Sequence, residues 1–334
     1  AKFKAVNSGQ RNFSRGRLKR VLARIDERIE RYLDDMDAND EDEDDFHKPT
    51  AEELREKIEV LKKRRREVEA RQEEIEQSGE RQISLTDPDA RSMPVRGGRR
   101  TQVGYNVQIT VDAKHKLILD HEVTNSVTDQ GQLSRMAIRA QQVLETEHLE
   151  VLADMGYYDG REVKACLAAG VTPYIPKPNT SANSGRGLFA KEDFRYDGES
   201  DCYWCPRGEK LTYRFQTTEQ GREIRYYATR ACKTCPLTPR CTRNKGGRRI
   251  TRWVDEHLLE EMQRRVRTQP EKVKRRKCIV EHPFGTIKHS MNQGHFLMRG
   301  LANVRSEMSL TVLAYNFKRV INILGVQNMV AALA

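Results

Sequence analysis

Residues 104–125 read GYNVQITVDAKHKLILDHEVTN. Tyr105–Asp112 alternates apolar and polar side chains with period two, and Leu117–Val123 does the same. Ala113–Lys116 between them reads as a turn, so the stretch predicts a β-hairpin. Downstream, Leu133, Met136, Ile138, Ala140 and Val143 mark an amphipathic helix over 129–147. Leu149–Ala153 is a short apolar run, a buried strand ending at Asp154. A helix over 160–169 and a strand over 172–175 follow. Strands interleaved with helices in this order predict a mixed α/β sheet. In open sheets reactive groups gather at the carboxyl ends of strands, which is where Asp154 falls.

Upstream of the hairpin the period changes. Leu18, Leu22, Ile25, Ile29, Tyr32 and Met36 alternate four and three apart, an a/d seam on one helix. Leu54, Ile58, Leu61, Val68 and Ile75 repeat the seam, with Arg65 and Gln72 interrupting it. The acidic stretch 37–45, Pro49 and Thr50 lie between, and Thr50 with Glu53 makes a capping box. These residues predict an antiparallel helical hairpin with an acidic loop; a dimerising coiled coil is the sharper alternative. Residues 87–101 (DPDARSMPVRGGRRT) read as a loop. From 179 to about 244 the composition shifts to Gly, Ser, Cys and Arg, which suggests an inserted small domain. Helices are expected over 255–269, 270–292 and 306–325, the last packing into the core through Leu310, Leu313, Tyr315, Phe317, Val320, Ile321 and Ile323.

The chain has 334 residues, room for about two domains. Its 60 Lys and Arg against 49 Asp and Glu give a net charge of +11, and 33% of residues are charged. The 37% apolar content suffices for a core, and the charge excess points to long solvated helices. No apolar run is long enough for a membrane helix. No charged segment leading into an apolar one opens the chain, which reads against secretion.

Five of the seven cysteines lie between 202 and 241. Cys202-Tyr-Trp-Cys205 and Cys232-Lys-Thr-Cys235, followed by Cys241, suit four-coordinate thiolate binding of Zn²⁺, with either Cys235 or Cys241 the spare of the five. Spacing of this kind also occurs around iron–sulfur clusters, and free thiols are the plain alternative. Cys166 and Cys278 read as small core residues. Positive charge concentrates in Arg96–Arg100, in 245–252 (KGGRRITR) and in 264–277 (RRVRTQPEKVKRRK), as on surfaces that neutralise nucleic-acid phosphates. Tyr203, Trp204, Tyr213, Tyr226 and Tyr227 accompany these runs; stacking on bases is one use for them, filling a small core the favoured one. His282, His289 and His295 read as polar helix residues rather than ligands. Glu281 begins EHPFGTIK, with Lys288 two helical turns further along the same face. Taken alone, Asp154 and Glu281 are a strand-end aspartate and a helix carboxylate.

The strings GYNVQITVDAKHKLILDHEVTN, ADMGYYDG (153–160) and VEHPFGTIKHSM (280–291) resemble motifs of bacterial insertion-sequence transposases with a DDE, RNase-H-like catalytic domain. The resemblance runs over nearly the whole chain. It implies an α/β, RNase-H-like mixed sheet carrying an inserted helical hairpin and an inserted Cys-rich, zinc-binding subdomain. The implied divisions are 1–14 (remnant of the first core strand), 15–80 (helical hairpin), 81–178 (first part of the core), 179–250 (Cys-rich insertion) and 251–334 (C-terminal helices of the core). It makes Asp154 the second catalytic Asp and Glu281 the catalytic Glu, holding Mg²⁺ or Mn²⁺. The family's Tyr, Arg, Glu and Lys signature is kept at Glu281 and Lys288, but Lys277 replaces the Arg and Lys274 the Tyr. Lys288, Lys277, Arg276 and Lys274 are the implied DNA contacts.

In such folds the first catalytic Asp stands on the first strand, ahead of the hairpin. That strand is expected around Phe3–Val6, which would place the Asp just upstream of Ala1; Asp112 is the alternative. The implied function is metal-dependent cleavage and strand transfer at the ends of an insertion sequence, on double-stranded DNA (terminal inverted repeats and target), by a homodimer in the cytoplasm, at the nucleoid. Without the first Asp the chain would be a poor catalyst. The rivals are a catalytically dead DNA-binding remnant and a metal-dependent nuclease of the same fold.

Overall fold

A computed structural model describes residues 1–7, 11–40, 49–77, 79, 82–95, 101–179 and 183–333. The basic run Arg96–Arg100 and most of the acidic loop lie outside the described residues. The strands are β1 (Lys2–Lys4), β2 (Asn12–Ser14), β3 (Gln82–Ser84), β4 (Arg91–Pro94), β5 (Thr101–Val111), β6 (Ile118–Thr124), β7 (Leu149–Leu152), β8 (Val171–Tyr174), β9 (Arg195–Asp197), β10 (Cys202–Trp204), β11 (Lys210–Glu219), β12 (Arg222–Ala228) and β13 (Arg249–Trp253). The helices are α1 (Arg15–Asp40), α2 (Ala51–Gln77), α3 (Leu133–Val143), α4 (Gly160–Ala168), α5 (Thr238–Cys241), α6 (Glu256–Thr268), α7 (Pro270–Gly285), α8 (Leu301–Leu324) and α9 (Val326–Leu333). They form a mixed α/β protein in two units, one of Ala1–Val127 with Glu281–Ala334 and one of Thr128–Val280.

In the first unit β5 is central. It pairs antiparallel with β1 along one edge and with β4 and β6 along the other. The expected hairpin is β5–β6, joined by a turn in which the Asp112 carboxylate accepts from the His115 N–H. Gly104 allows the tight approach of β1: a Cβ there would stand 2.0 Å from the Phe3 carbonyl oxygen. The rings of Phe3, Tyr105 and Phe296 meet in the core beneath. Each such fully buried side chain contributes about 1.5–3 kcal/mol.

The seam residues of α1 and α2 pack as their spacing predicts. Leu18 and Ile25 of α1 and Leu61, Val68 and Ile75 of α2 form one buried cluster. Thr50 and Glu53 close the capping box, each side chain accepting from the other's backbone N–H. Arg65, which breaks the seam, reaches across to Asp26 at 2.8 Å and along its own helix to Glu69 at 2.6 Å. At the root of this hairpin β2 and β3 pair antiparallel, a ribbon that three-residue strands do not announce by periodicity.

Two helices depart from expectation. The helix expected over 270–292 ends as α-helix at Gly285, and Thr286–Ser290 continues as a π turn. Pro283 inside the helix has no N–H to donate, which loosens the ladder there. Glu281 and Lys288 are therefore not two regular turns apart. The last long helix starts earlier than expected, at Leu301, because two aspartates cap it: Asp87 accepts from Gly300 N–H at 3.2 Å and Asp89 from Leu301 N–H at 2.7 Å. Its buried face is Val304, Met308, Thr311, Val312 and Tyr315. Of the residues expected to pack, Tyr315 is buried, whereas Leu310, Leu313, Phe317 and Ile323 are exposed. Val304 precedes the expected start and Met308 is not among the residues expected to pack, so the buried stripe lies one face round from the one the sequence suggests. Among the described residues no helix is long and apolar enough to cross a membrane.

In the second unit β7 and β8 pair in parallel, and α3, α4 and α6 pack around Val163, Val171, Ile175 and Met262. The Cys-rich segment builds a separate antiparallel sheet in the order β13-β12-β11-β10-β9. Its core holds Phe194, Tyr203, Leu211, Tyr227 and Ile250. Tyr203 and Tyr227 are thus core residues, whereas Tyr213 is exposed.

The basic run 245–252 divides by strand alternation: Lys245 and Arg249 face solvent, whereas Arg252 is buried. Arg252 makes paired hydrogen bonds to Glu260 at 2.5 and 2.8 Å, and its guanidinium lies 3.7 Å from the centre of the Tyr196 ring. Replacing Glu260 by Ala is expected to cost this unit about 2 kcal/mol. That is below the usual cost of stranding a buried charge, because Glu260 itself is half in water. Urea unfolding followed by tryptophan fluorescence checks it, since both tryptophans, Trp204 and Trp253, lie here.

Candidate active site and thiol cluster

Asp154 follows β7 after one residue, Ala153. Its backbone is extended, and its side chain caps the turn Met155–Tyr157 by accepting from Gly156 N–H at 2.9 Å. The other carboxylate oxygen stands 3.3 Å from an Arg276 guanidinium nitrogen. Lys272, one turn earlier on α7, binds the Glu150 carboxylate at 2.6 Å on β7. The α7 positions 272 and 276 thus pair with position 150 of β7 and position 154 just past it, which fixes the first half of α7 in the second unit.

A further acidic residue shares this corner. A Cβ on Gly156 would lie 3.0 Å from an Asp154 oxygen and 3.4 Å from an Asp129 oxygen, so both carboxylates flank one glycine. Burial raises the pKa of the adjacent Tyr157 hydroxyl, and the charges of Asp129 and Asp154 raise it further. Sequence reasoning places 129 at a helix start and passes over its carboxylate; no periodicity would find it.

The rest of ADMGYYDG is structural. Asp159 caps α4 by accepting from Arg161 N–H at 2.9 Å. Gly160 lies against Trp253, whose ring would be 2.8 Å from an added Cβ.

In the first unit Glu281 is exposed and makes no hydrogen bond or ion pair among the described residues. Lys288 turns inward: its ammonium donates to the Lys2 carbonyl at 2.8 Å and lies 4.5 Å from the centre of the Phe3 ring. Burial lowers its pKa. His282 meets the Tyr315 hydroxyl at 3.1 Å, and burial with the nearby Lys116 and Arg319 charges lowers its pKa. On α7 Lys274 pairs with Glu271 at 3.0 Å. Lys277 and Arg275 are exposed, with no ion pair among the described residues. Asp112 stays in the β5–β6 turn.

The cysteines sort into two kinds. Cys205, Cys232, Cys235 and Cys241 line one small cavity with Phe189, Phe194 and Leu237. Cys202 is fully buried on β10, opposite Thr212 and Asp197, and is not part of that lining. Burial pushes the Cys241 thiol pKa up, and Cys232, Cys205 and Cys235 add to the effect. As the side chains stand, no three His, Cys, Asp or Glu among the described residues are arranged to hold a metal ion. Cys166 is buried in α4 as expected, and burial pushes its thiol up to about 12. Cys278 is exposed on α7 rather than in a core.

Residues 204–321 match the family model described as a transposase DDE domain. The match takes in four of the clustered cysteines, Glu281 and Lys288, and begins after Cys202 and Asp154. No curated protein matches the chain. No solved structure matches it either.

Proposed function

From a transposase DDE-domain sequence over residues 204–321, we propose that this protein is a DNA transposase that cuts at the ends of an insertion sequence and joins them to target DNA. The family match carries the reading. Compatible with it are strand β1 and the antiparallel hairpin β5–β6 in the first unit and, in the second, the parallel pair β7–β8, a separate two-stranded sheet with Asp154 two residues past the end of β7. Asp154 and Glu281 are the carboxylates assigned to the chemistry. Both present carboxylate oxygens, the donors that Mg²⁺ and Mn²⁺ prefer, and both are reachable from solvent. A divalent ion held by such carboxylates would supply water activation and charge neutralisation at the scissile phosphate.

The chain's own part is positioning. Asp154 is held by the Gly156 N–H and by Arg276, which leaves its orientation fixed before substrate arrives. Exposed cations on α6 and α7, among them Arg267, Arg275 and Lys277, would bind the DNA backbone in a salt-dependent way. The assignment of Lys288 to a phosphate is weaker than its spacing suggests, because its ammonium is engaged at β1. Asp112 accepts from the His115 N–H in the β5–β6 turn, and the reading does not lean on it. The cysteines of the β9–β13 sheet are read as holding a structural Zn²⁺.

The test is an assay of the full-length protein on duplexes carrying the element's own ends. With Mg²⁺ or Mn²⁺, nicks at the ends and joined products support the reading. Equal cutting of random duplex points to a nuclease, and binding without cutting points to an inactive remnant.

A further inference from the structure

We infer that Cys205, Cys232, Cys235 and Cys241 are the four ligands of a single Zn²⁺ and that Cys202 is not a ligand; this rests on reading the cysteine-bearing sheet as metal-bound. The cavity these four thiols line has a volume of about 20 Å³, the room of one water-sized sphere. Its remaining walls include Phe189, Phe194, Leu211 and Leu237 together with Arg207 and Arg248.

The turns that carry the thiols point the same way. Gly208 N–H donates to the Cys205 carbonyl at 2.8 Å, and Glu209 N–H points at the Cys205 sulfur at 3.3 Å. The β10–β11 turn thereby fixes where the Cys205 sulfur lies. Across the cavity, the Thr238 hydroxyl sits between the Cys232 and Cys235 carbonyls, at 3.1 and 2.8 Å, and holds that turn closed. Gly247 has φ +88°, and a Cβ on it would come within 2.8 Å of the Cys232 Cβ and 3.3 Å of its sulfur. The backbone thus passes over Cys232 at a distance that only glycine permits.

Cys202 is excluded by the strand itself. It is the first residue of β10, paired with Asp197 of β9 and Thr212 of β11 and buried outside the cavity lining, whereas Cys205 follows the end of β10 and lines the cavity. Four thiolates and no other ligand make the closed tetrahedral set of a structural zinc. A sheet of short strands over a five-residue buried core is the kind of small fold that needs such a staple. The four thiols line the cavity without converging on one centre. Binding must therefore pull them inward, by side-chain rotation, to zinc–sulfur distances of about 2.3 Å.

The experiment measures metal in the purified full chain by mass spectrometry, with cobalt substitution to read the ligand field. The expected result is one Zn²⁺ per chain, replaced by Co²⁺ with a tetrahedral thiolate spectrum. Cys202→Ala keeps both, and Cys241→Ser binds at least about 10-fold less tightly, a loss of about 1.4 kcal/mol. If Cys241→Ser does not fold, Cys241→His, which preserves a ligand, should bind Co²⁺ with a shifted spectrum. Zinc lost with Cys202→Ala, or kept undiminished with Cys241→Ser, overturns the ligand set while leaving a metal-bound sheet intact. A wild-type chain that takes up no zinc overturns both, and bound iron with sulfide overturns the choice of metal.

Discussion

Asp154→Asn is expected to lower strand cleavage by the full-length protein by about 10³-fold or more while leaving the fold in place. A ligand carboxylate that becomes an amide loses its charge and part of its affinity for a divalent ion. The several kcal/mol of charge stabilisation such an ion supplies corresponds to that factor. The fold should tolerate the change. The amide oxygen can still accept from Gly156 N–H, and the Asp154–Arg276 pair is partly exposed, with Asp154 at 44%, so its loss is worth little. Glu281→Gln should behave alike, since Glu281 supports no structure of its own. The measurement is single-turnover cleavage of end-bearing duplex in Mg²⁺ and Mn²⁺, with melting temperatures alongside. Undiminished cutting by Asp154→Asn removes this residue from the chemistry.

Asp87→Ala should cost the first unit about 3 kcal/mol, the upper end for stranding buried polar partners. Asp87 is fully buried. One of its oxygens accepts from the Tyr105 hydroxyl at 2.8 Å and from Gly300 N–H at 3.2 Å. It therefore joins the centre of the sheet to the start of α8. Alanine leaves the Tyr105 hydroxyl without its acceptor inside the core and removes a helix cap as well. Asp87→Asn, which keeps one acceptor oxygen, should lose less than half as much. Hydrogen exchange of the 104–125 and 300–315 amides reads this unit directly. Unchanged protection in Asp87→Ala would show that the network carries no stability.

Much of this architecture is readable without coordinates, because its periodicities are long and regular. The β5–β6 hairpin, both helices of the hairpin insertion and their capping box follow from spacing alone. What escapes depends on partners distant in sequence. The β2–β3 ribbon joins three-residue segments separated by two helices. Asp87 and Asp89 look like loop residues until α8 is seen to begin on them. The buried face of α8 is hard to read because the helix starts before its most apolar stretch, and the π turn after Pro283 shifts Lys288 off the face of Glu281. At the candidate site, Asp154 is legible as a strand-end acid, but its neighbours Asp129 and Arg276 come from other elements. The division of five cysteines into four and one likewise needs the strand pairing of β10.

The Arg65–Asp26 pair has a consequence for how the two long helices find each other. A seam of aliphatic side chains alone would tolerate sliding by one heptad at small cost. Displacing α1 by that step would set Arg65 against Lys19 in one direction and against Leu33 in the other, a repulsion or the loss of the pair. A single cation in the stripe thus makes one alignment better than its neighbours. The helical arm is a ruler of fixed length, and this ion pair is its mark.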